Sequence, residues 1–321
     1  LWYFINNSEN KLPTRIEYIF DIMKNIEGIQ NGNDQYSTFR FFSDKFKTNT
    51  KDEIDNNWKE IKRTFQTIEE WFLDRELYHK VGFLITAGEK ITELLNNAQK
   101  RQKNDFKKFL DSKISEKVKC DNLEELEYGK DNLRIKNILL LHNILTMLSN
   151  ENETSRFPFD RFKKEKKEKW DIEHIHAIAT EVKVNQDAQK EWLENNFSKC
   201  EHYNDDKLNS EIDEIVKNNK TVSDEDFQKI IEYVLGEEDN SIRNLCLLDM
   251  GTNRSYKNDS FKNKRNKIIK NEKEGTFIPV CTRNVFMKYY SSELKDLELW
   301  NENDRVEYIK DIENVVYSLN K

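Results

Sequence analysis

Proline and glycine are scarce, three and eight residues in a chain of 321, against an average of about 12% for the two together. All-β sandwiches and Gly-rich disordered chains need many turn residues, so both are excluded. Cysteine is sparse as well. Cys120, Cys200, Cys246 and Cys281 stand far apart with no CxxC pair, which points to a reducing compartment and a cytoplasmic location. The spacing of Cys200 and His202 with Cys246 and Cys281 matches no standard zinc pattern. Long apolar runs are missing too. The richest, Ile135 to Leu148, is broken by Lys136, His142 and Asn143, short of the roughly 18 apolar residues a bilayer span needs. No membrane partner is expected. No signal-peptide pattern opens the chain. It begins at Leu1 inside an apolar segment, LWYFI, without Met, and is expected to be a piece of something longer. Neither a G-x-x-x-x-G-K-S/T phosphate loop nor G-x-G-x-x-G occurs, so nucleotide hydrolysis is not assigned.

What is present is helical pattern and charge. Hydrophobic residues at 36%, with 12% aromatic, suffice for a core, and 35% charged residues imply long solvated helix faces. The length suggests about two domains. Apolar residues recur at three- and four-residue steps in Ile16, Ile19, Phe20, Met23 and Ile26. The same rhythm runs through Ile54, Trp58, Ile61, Phe65, Ile68, Trp71 and Phe72, then through Phe106, Phe109, Leu110, Ile114 and Val118. Ile135 to Leu148 is apolar on most sides and reads as a central buried helix. His79 and His142 lie on these stripes and read as core or boundary histidines. The expected fold is mainly α: a helical domain over 1–150, a small mixed domain over 151–290, and a helical tail over 291–321.

Beyond 150 the composition shifts. Between Arg156 and Trp170 there are seven Lys/Arg and three Asp/Glu, and between Arg254 and Lys270 seven Lys/Arg against Asp259 alone. Such runs flanking one region, in a chain of net charge −7, favour nucleic-acid contact over ordinary solvated faces. DIEHIHAIA reads as a strand or the start of a helix. Helices are expected around Gln186–Phe197 and from Ser223 on, where SDED resembles a capping box. SIRNLCLLD reads as a strand followed by a turn, and Ser260 to Lys270 as a basic helix. Glu173, His174 and His176 precede by about seventy residues the segment Asn244 to Asn258. An imidazole can take a proton from water near neutral pH, while carboxylate and amide oxygens are hard donors that suit Mg²⁺. The combination fits phosphodiester hydrolysis.

DIEHIHA followed by SIRNLCLLDMGTNRSYKNDSFKNKR resembles the two halves of an HNH (ββα-metal) nuclease. The resemblance is to the nuclease domains of GmrSD-like, modification-dependent type IV restriction proteins. LWYFINN, TRIEYIFDIM, IEEWFLDRELYHKVGFLI and RFPFDRF resemble the helical region of that family. The resemblance implies an endonuclease acting on DNA, modified phage DNA included, with Mg²⁺ or Mn²⁺ as cofactor. It also implies a sensor domain in cis or in trans, since no DGQQR-type string occurs here. Carried over by position, His174 is the general base, Glu173 and Asn253 are metal ligands, and Asn244 holds the loop and orients the histidine. Lys264 takes the place where many HNH enzymes have their last His or Asn. Arg254, Lys257, Asn258, Lys262 and Arg265 are the expected nucleic-acid contacts. In a regular strand Glu173 and His174 point to opposite faces, so both serve one site only if the strand bends. His176 shares the face of His174 and is either a further phosphate contact or a competitor for the base role. The alternative class is a non-catalytic nucleic-acid-binding or scaffold module with a decayed HNH site. The residues alone do not separate DNA from RNA.

Overall fold

The computed structural model describes residues 15–29, 34–47, 50–159, 170–176, 186–196, 206–218, 220–235, 239–249, 261–291, 297 and 299–320. The described residues form thirteen α-helices and two short strands. None of these helices is long and apolar enough to cross a membrane. The chain divides into two compact units: residues 1–119, 147–169 and 319–321 form one, and residues 120–146 and 170–318 the other. The division is not the sequential one expected at about residue 150. The central apolar helix belongs largely to the second unit, where Lys136, His142 and Asn143 hydrogen-bond to Trp170 O, Asp311 and Cys281 N.

The first unit contains α1 (Arg15–Ile26), α2 (Ser37–Phe46), α3 (Lys51–Leu73), α4 (Arg75–Thr86), α5 (Ile91–Gln99) and α6 (Lys103–Val118). A capping box at Thr50 and Glu53 starts α3, satisfying donors that a helix start leaves unpaired. Trp71 stacks on Phe106 at 5.6 Å in a core with Leu77, Val81, Leu84, Leu110 and Ile114. The long stripe on α3 is only partly a core stripe. Ile61, Thr64, Ile68 and Trp71 are buried, whereas Trp58, Phe65 and Phe72 are exposed. At 100° per residue the 58–65–72 row falls on the rim of the buried face. Ile16, expected on the α1 stripe, is likewise exposed, and Tyr18 and Ile22 are buried instead.

His79 is a core histidine, as expected. Phe157 N donates to its Nε2 at 3.0 Å, so the ring proton sits on Nδ1 and is donated to Arg75 O at 2.6 Å. Burial draws its pKa down to about 4. Phe157 and Phe159, from the segment that returns to this unit, are fully buried, and Tyr78 Oη donates to Phe157 O at 3.1 Å.

The second unit is built on α7 (Asn132–Ser149), β1 (Trp170–His174), α8 (Gln186–Asn196), α9 (Asp206–Asn218), α10 (Asp224–Leu235), β2 (Leu245–Asp249), α11 (Phe261–Lys273), α12 (Val280–Phe286) and α13 (Glu302–Val316). β1 and β2 pair antiparallel in regular register, Trp170 with Asp249 through His174 with Leu245. Helices α8 to α10 lie between them in sequence and bury their own cluster, Leu193, Ile212, Ile215, Phe227, Ile230 and Ile231. Helix α9 was not expected, although Leu208, Ile212 and Ile215 carry its spacing.

A two-stranded ribbon has two unpaired edges, and helices close both. Lys136 of α7 donates to Trp170 O, and Lys264 of α11 to His174 O at 2.6 Å. On the other strand, Tyr308 of α13 donates to Leu245 O at 3.1 Å and Thr282 of α12 to Leu247 O at 2.6 Å. Four outward carbonyls thus find donors without a third strand. His142 of α7 is fully buried, with Nε2 2.7 Å from Asp311 Oδ2, the second core histidine expected.

Gly82 marks a close approach in the first unit. A Cβ there would meet the Phe159 ring at 2.3 Å, and that ring is buried. Replacing a mid-helix glycine by alanine ordinarily stabilises by about 0.5–1 kcal/mol. Here overpacking should reverse the sign, and Gly82→Ala is expected to destabilise by roughly 1–3 kcal/mol. Thermal unfolding checks this: a melting temperature at or above wild type would show that the ring has room.

Candidate active site

The sequence between Asn240 and Leu245 decides where the site sits. Asp239 Oδ1 accepts from Ser241 N at 2.9 Å and Ser241 Oγ at 2.6 Å, an Asx turn. A single 3₁₀ turn, Ile242–Asn244, follows and leads into the apolar run of β2. The turn brings Asn244 beside the end of β1. Ile175 N donates to Asn244 O at 2.8 Å. The Asn244 carboxamide accepts from His176 N at 2.9 Å and donates to His176 O at 3.2 Å and Asp239 O at 2.9 Å. Asn244 therefore holds the main chain just after His174.

The pairing is regular through His174, so the strand does not bulge between Glu173 and His174. Their side chains meet different partners. The Glu173 carboxylate accepts from Lys264 Nζ at 2.7 Å, with both side chains nearly buried. The His174 ring lies edge-on to Tyr128, centroids 4.9 Å apart, and its Nε2 is 3.0 Å from Asn240 Oδ1. An amide oxygen only accepts, so Nε2 carries the proton and Nδ1 keeps the lone pair. Burial draws the His174 pKa down and the positive charge of Lys264 adds to the effect; Asn240 and Asp239 oppose it. The imidazole is thus neutral near pH 7 and able to accept a proton. Tyr128 is held by its own main chain, Tyr128 N to Asn240 O at 2.8 Å. Burial and the charges of Asp171 and Glu173 raise its pKa, so the phenol keeps its proton.

Of the expected site residues, Glu173, His174, His176, Asn244 and Lys264 are brought together by the two strands and α11. His176 is buried and fixed by its main chain to Asn244. Lys264 is only 1% exposed and serves Glu173 and a strand edge rather than a phosphate. Arg265 Nε donates to Phe286 O at 2.9 Å, which ties that side chain to the fold, and Lys262 is half-buried. Asn253, Arg254, Lys257 and Asn258, with Cys200 and His202, lie outside the described residues. Sequence reading missed Asn240 and Tyr128. Asn240 sits four residues before Asn244, a signal available in hindsight, but Tyr128 arrives from a distant segment and left none.

The described residues do not fit a divalent ion at Glu173. Its Oε1 is already neutralised by a buried ammonium that also occupies His174 O. Among the described residues no three His, Cys, Asp or Glu side chains are grouped as a metal centre requires.

Compared with protein-family models, with curated proteins and with solved structures, the chain has no match.

Asn244 offers a direct check of this arrangement. It is 1% exposed, and truncation leaves its main-chain partners without their donors and acceptor. Asn244→Ala is expected to cost roughly 3 kcal/mol, read as a lower denaturation midpoint. A change below about 0.5 kcal/mol, the size of an ordinary surface substitution, would contradict the clamp.

Proposed function

We propose that the second unit is a phosphodiester hydrolase of the HNH type acting on DNA. The observation that carries this reading is His174: a neutral imidazole, oriented by Asn240 through Nε2, at the end of a strand clamped by Asn244. The antiparallel strands followed by α11, with Lys264 reaching back to β1, support the ββα reading. The basic character of α11 supports a polyanionic partner.

In the proposed step His174 Nδ1 takes a proton from water. The water oxygen forms a bond to phosphorus as the bond from phosphorus to one ester oxygen breaks. That oxygen leaves with a proton from solvent, giving a phosphomonoester and an alcohol. Asn240 and Asn244 are positioning residues, since neither is placed to touch the reacting atoms. No step is routed through a divalent ion. Restriction of foreign or modified phage DNA, with a sensor domain in cis or in trans, is the setting the sequence resemblance supports.

The test is plasmid nicking across a series of divalent ions, with an EDTA arm. His174→Ala should lower cleavage by about 10²–10⁴-fold while DNA binding stays near wild type. Because the His174 pKa is lowered, activity should hold through neutrality and fall on the acid side below about 6.5. Near-normal cleavage by a folded His174→Ala would overturn the assignment. The closed Glu173–Lys264 pair favours a second reading, a DNA-binding module without cleavage. Retained DNA binding with no nicking under any condition would select it.

A further inference from the structure

Helix α11 carries Lys262, Lys264, Arg265, Lys267 and Lys270, yet of these only Lys264 is buried. A solvated lysine on a nucleic-acid-binding face would be exposed. Its ammonium has three donors, and two are committed: one to Glu173 Oε1 at 2.7 Å, one to His174 O at 2.6 Å. Oxygens of two adjacent residues thus converge on a single positive charge. Hard oxygens converging in this way are also what a cation such as Mg²⁺ seeks. The place is taken. A divalent ion set on the same carboxylate would meet a like charge in surroundings shielded from water, where repulsion is strong. The regular register through His174 keeps the Glu173 carboxylate on the α11 partner rather than on the side of the imidazole.

We infer that the Lys264 ammonium is the resident cation of this site, and that Glu173 is its counter-ion and not a ligand of a divalent metal. The inference concerns the charge at Glu173 and holds whether or not the unit cuts DNA.

The experiment measures Mn²⁺ binding by the full chain, from the EPR signal of free ion, in wild type and Glu173→Gln. The two should agree within about twofold, and absence of binding in both is the same result. Weakening by about tenfold or more in a Glu173→Gln protein of unchanged circular dichroism would overturn the inference, since losing a ligand or even its supporting partner costs at least that. Lys264→Ala supplies the complementary test. It leaves the carboxylate without its cation and opens the space the side chain filled. Mn²⁺ or n-butylammonium at about millimolar concentration should then raise its melting temperature by several degrees, with no such rise in wild type. The double variant Glu173→Gln with Lys264→Ala should lose the response. A folded Lys264→Ala indifferent to both cations would also overturn the inference. If that variant does not fold, the comparison of wild type with Glu173→Gln decides alone. Failure of plasmid nicking would count against the nuclease reading and leave these measurements unchanged.

Discussion

Two strands cannot stand alone in water, and the second unit is organised by that constraint. β1 and β2 contribute Trp170, Ile172, Leu245, Leu247 and Leu248 to the core, so neither face is left to solvent. Burying both faces also buries both edges, and each outward carbonyl then needs a donor. A wider sheet would supply further strands. This chain supplies side chains: two lysines, a tyrosine and a threonine, one from each of four helices. Helices α7, α11, α12 and α13 are thereby fixed by polar contacts as well as by packing. The position of α11, and so of Lys264 beside Glu173, follows from closing an edge.

The same economy recurs at the other buried lysines among the described residues. Lys24 is fully buried, with Ser37 Oγ at 2.9 Å, Thr38 Oγ1 at 3.1 Å and Asp21 at 3.1 Å. Lys80 lies between Glu76 and Asp111, each at 2.6 Å. Lys288, with a left-handed φ of 62°, reaches buried Asp304, which also caps α13 with Asn301. Buried pairs contribute little net stability because desolvation offsets their attraction, yet removing one partner is costly. Their consequence is geometric: each fixes one arrangement of the elements it joins.

The periodicity of the sequence located most helices, because a three- and four-residue rhythm reports a buried face directly. It could not tell centre from rim, so Trp58, Phe65 and Phe72 read like Ile61 and Ile68. Nor could it show that residues 120–146 join a unit whose remaining members begin at Trp170, since that depends on which surface an all-round apolar helix finds. In the site, Asn244 was named from the HNH resemblance alone, and its clamp on the main chain shows only in the fold. Lys264 was legible as a position but not as a chemistry. Its spacing places it on the right helix, while its burial depends on packing that spacing does not encode.

The charge at Lys264 and the neutrality of His174 belong together. The proposed base must hold a lone pair near neutral pH, and the nearby Asp239 carboxylate works against this by favouring the imidazolium. Burial, with the Lys264 charge, lowers the His174 pKa against the opposing Asn240 hydrogen bond, and that same bond sets the ring's orientation. Asn240 sets where the lone pair points, Asn244 holds the main chain just beyond it, and Lys264 by its own charge helps to keep it available.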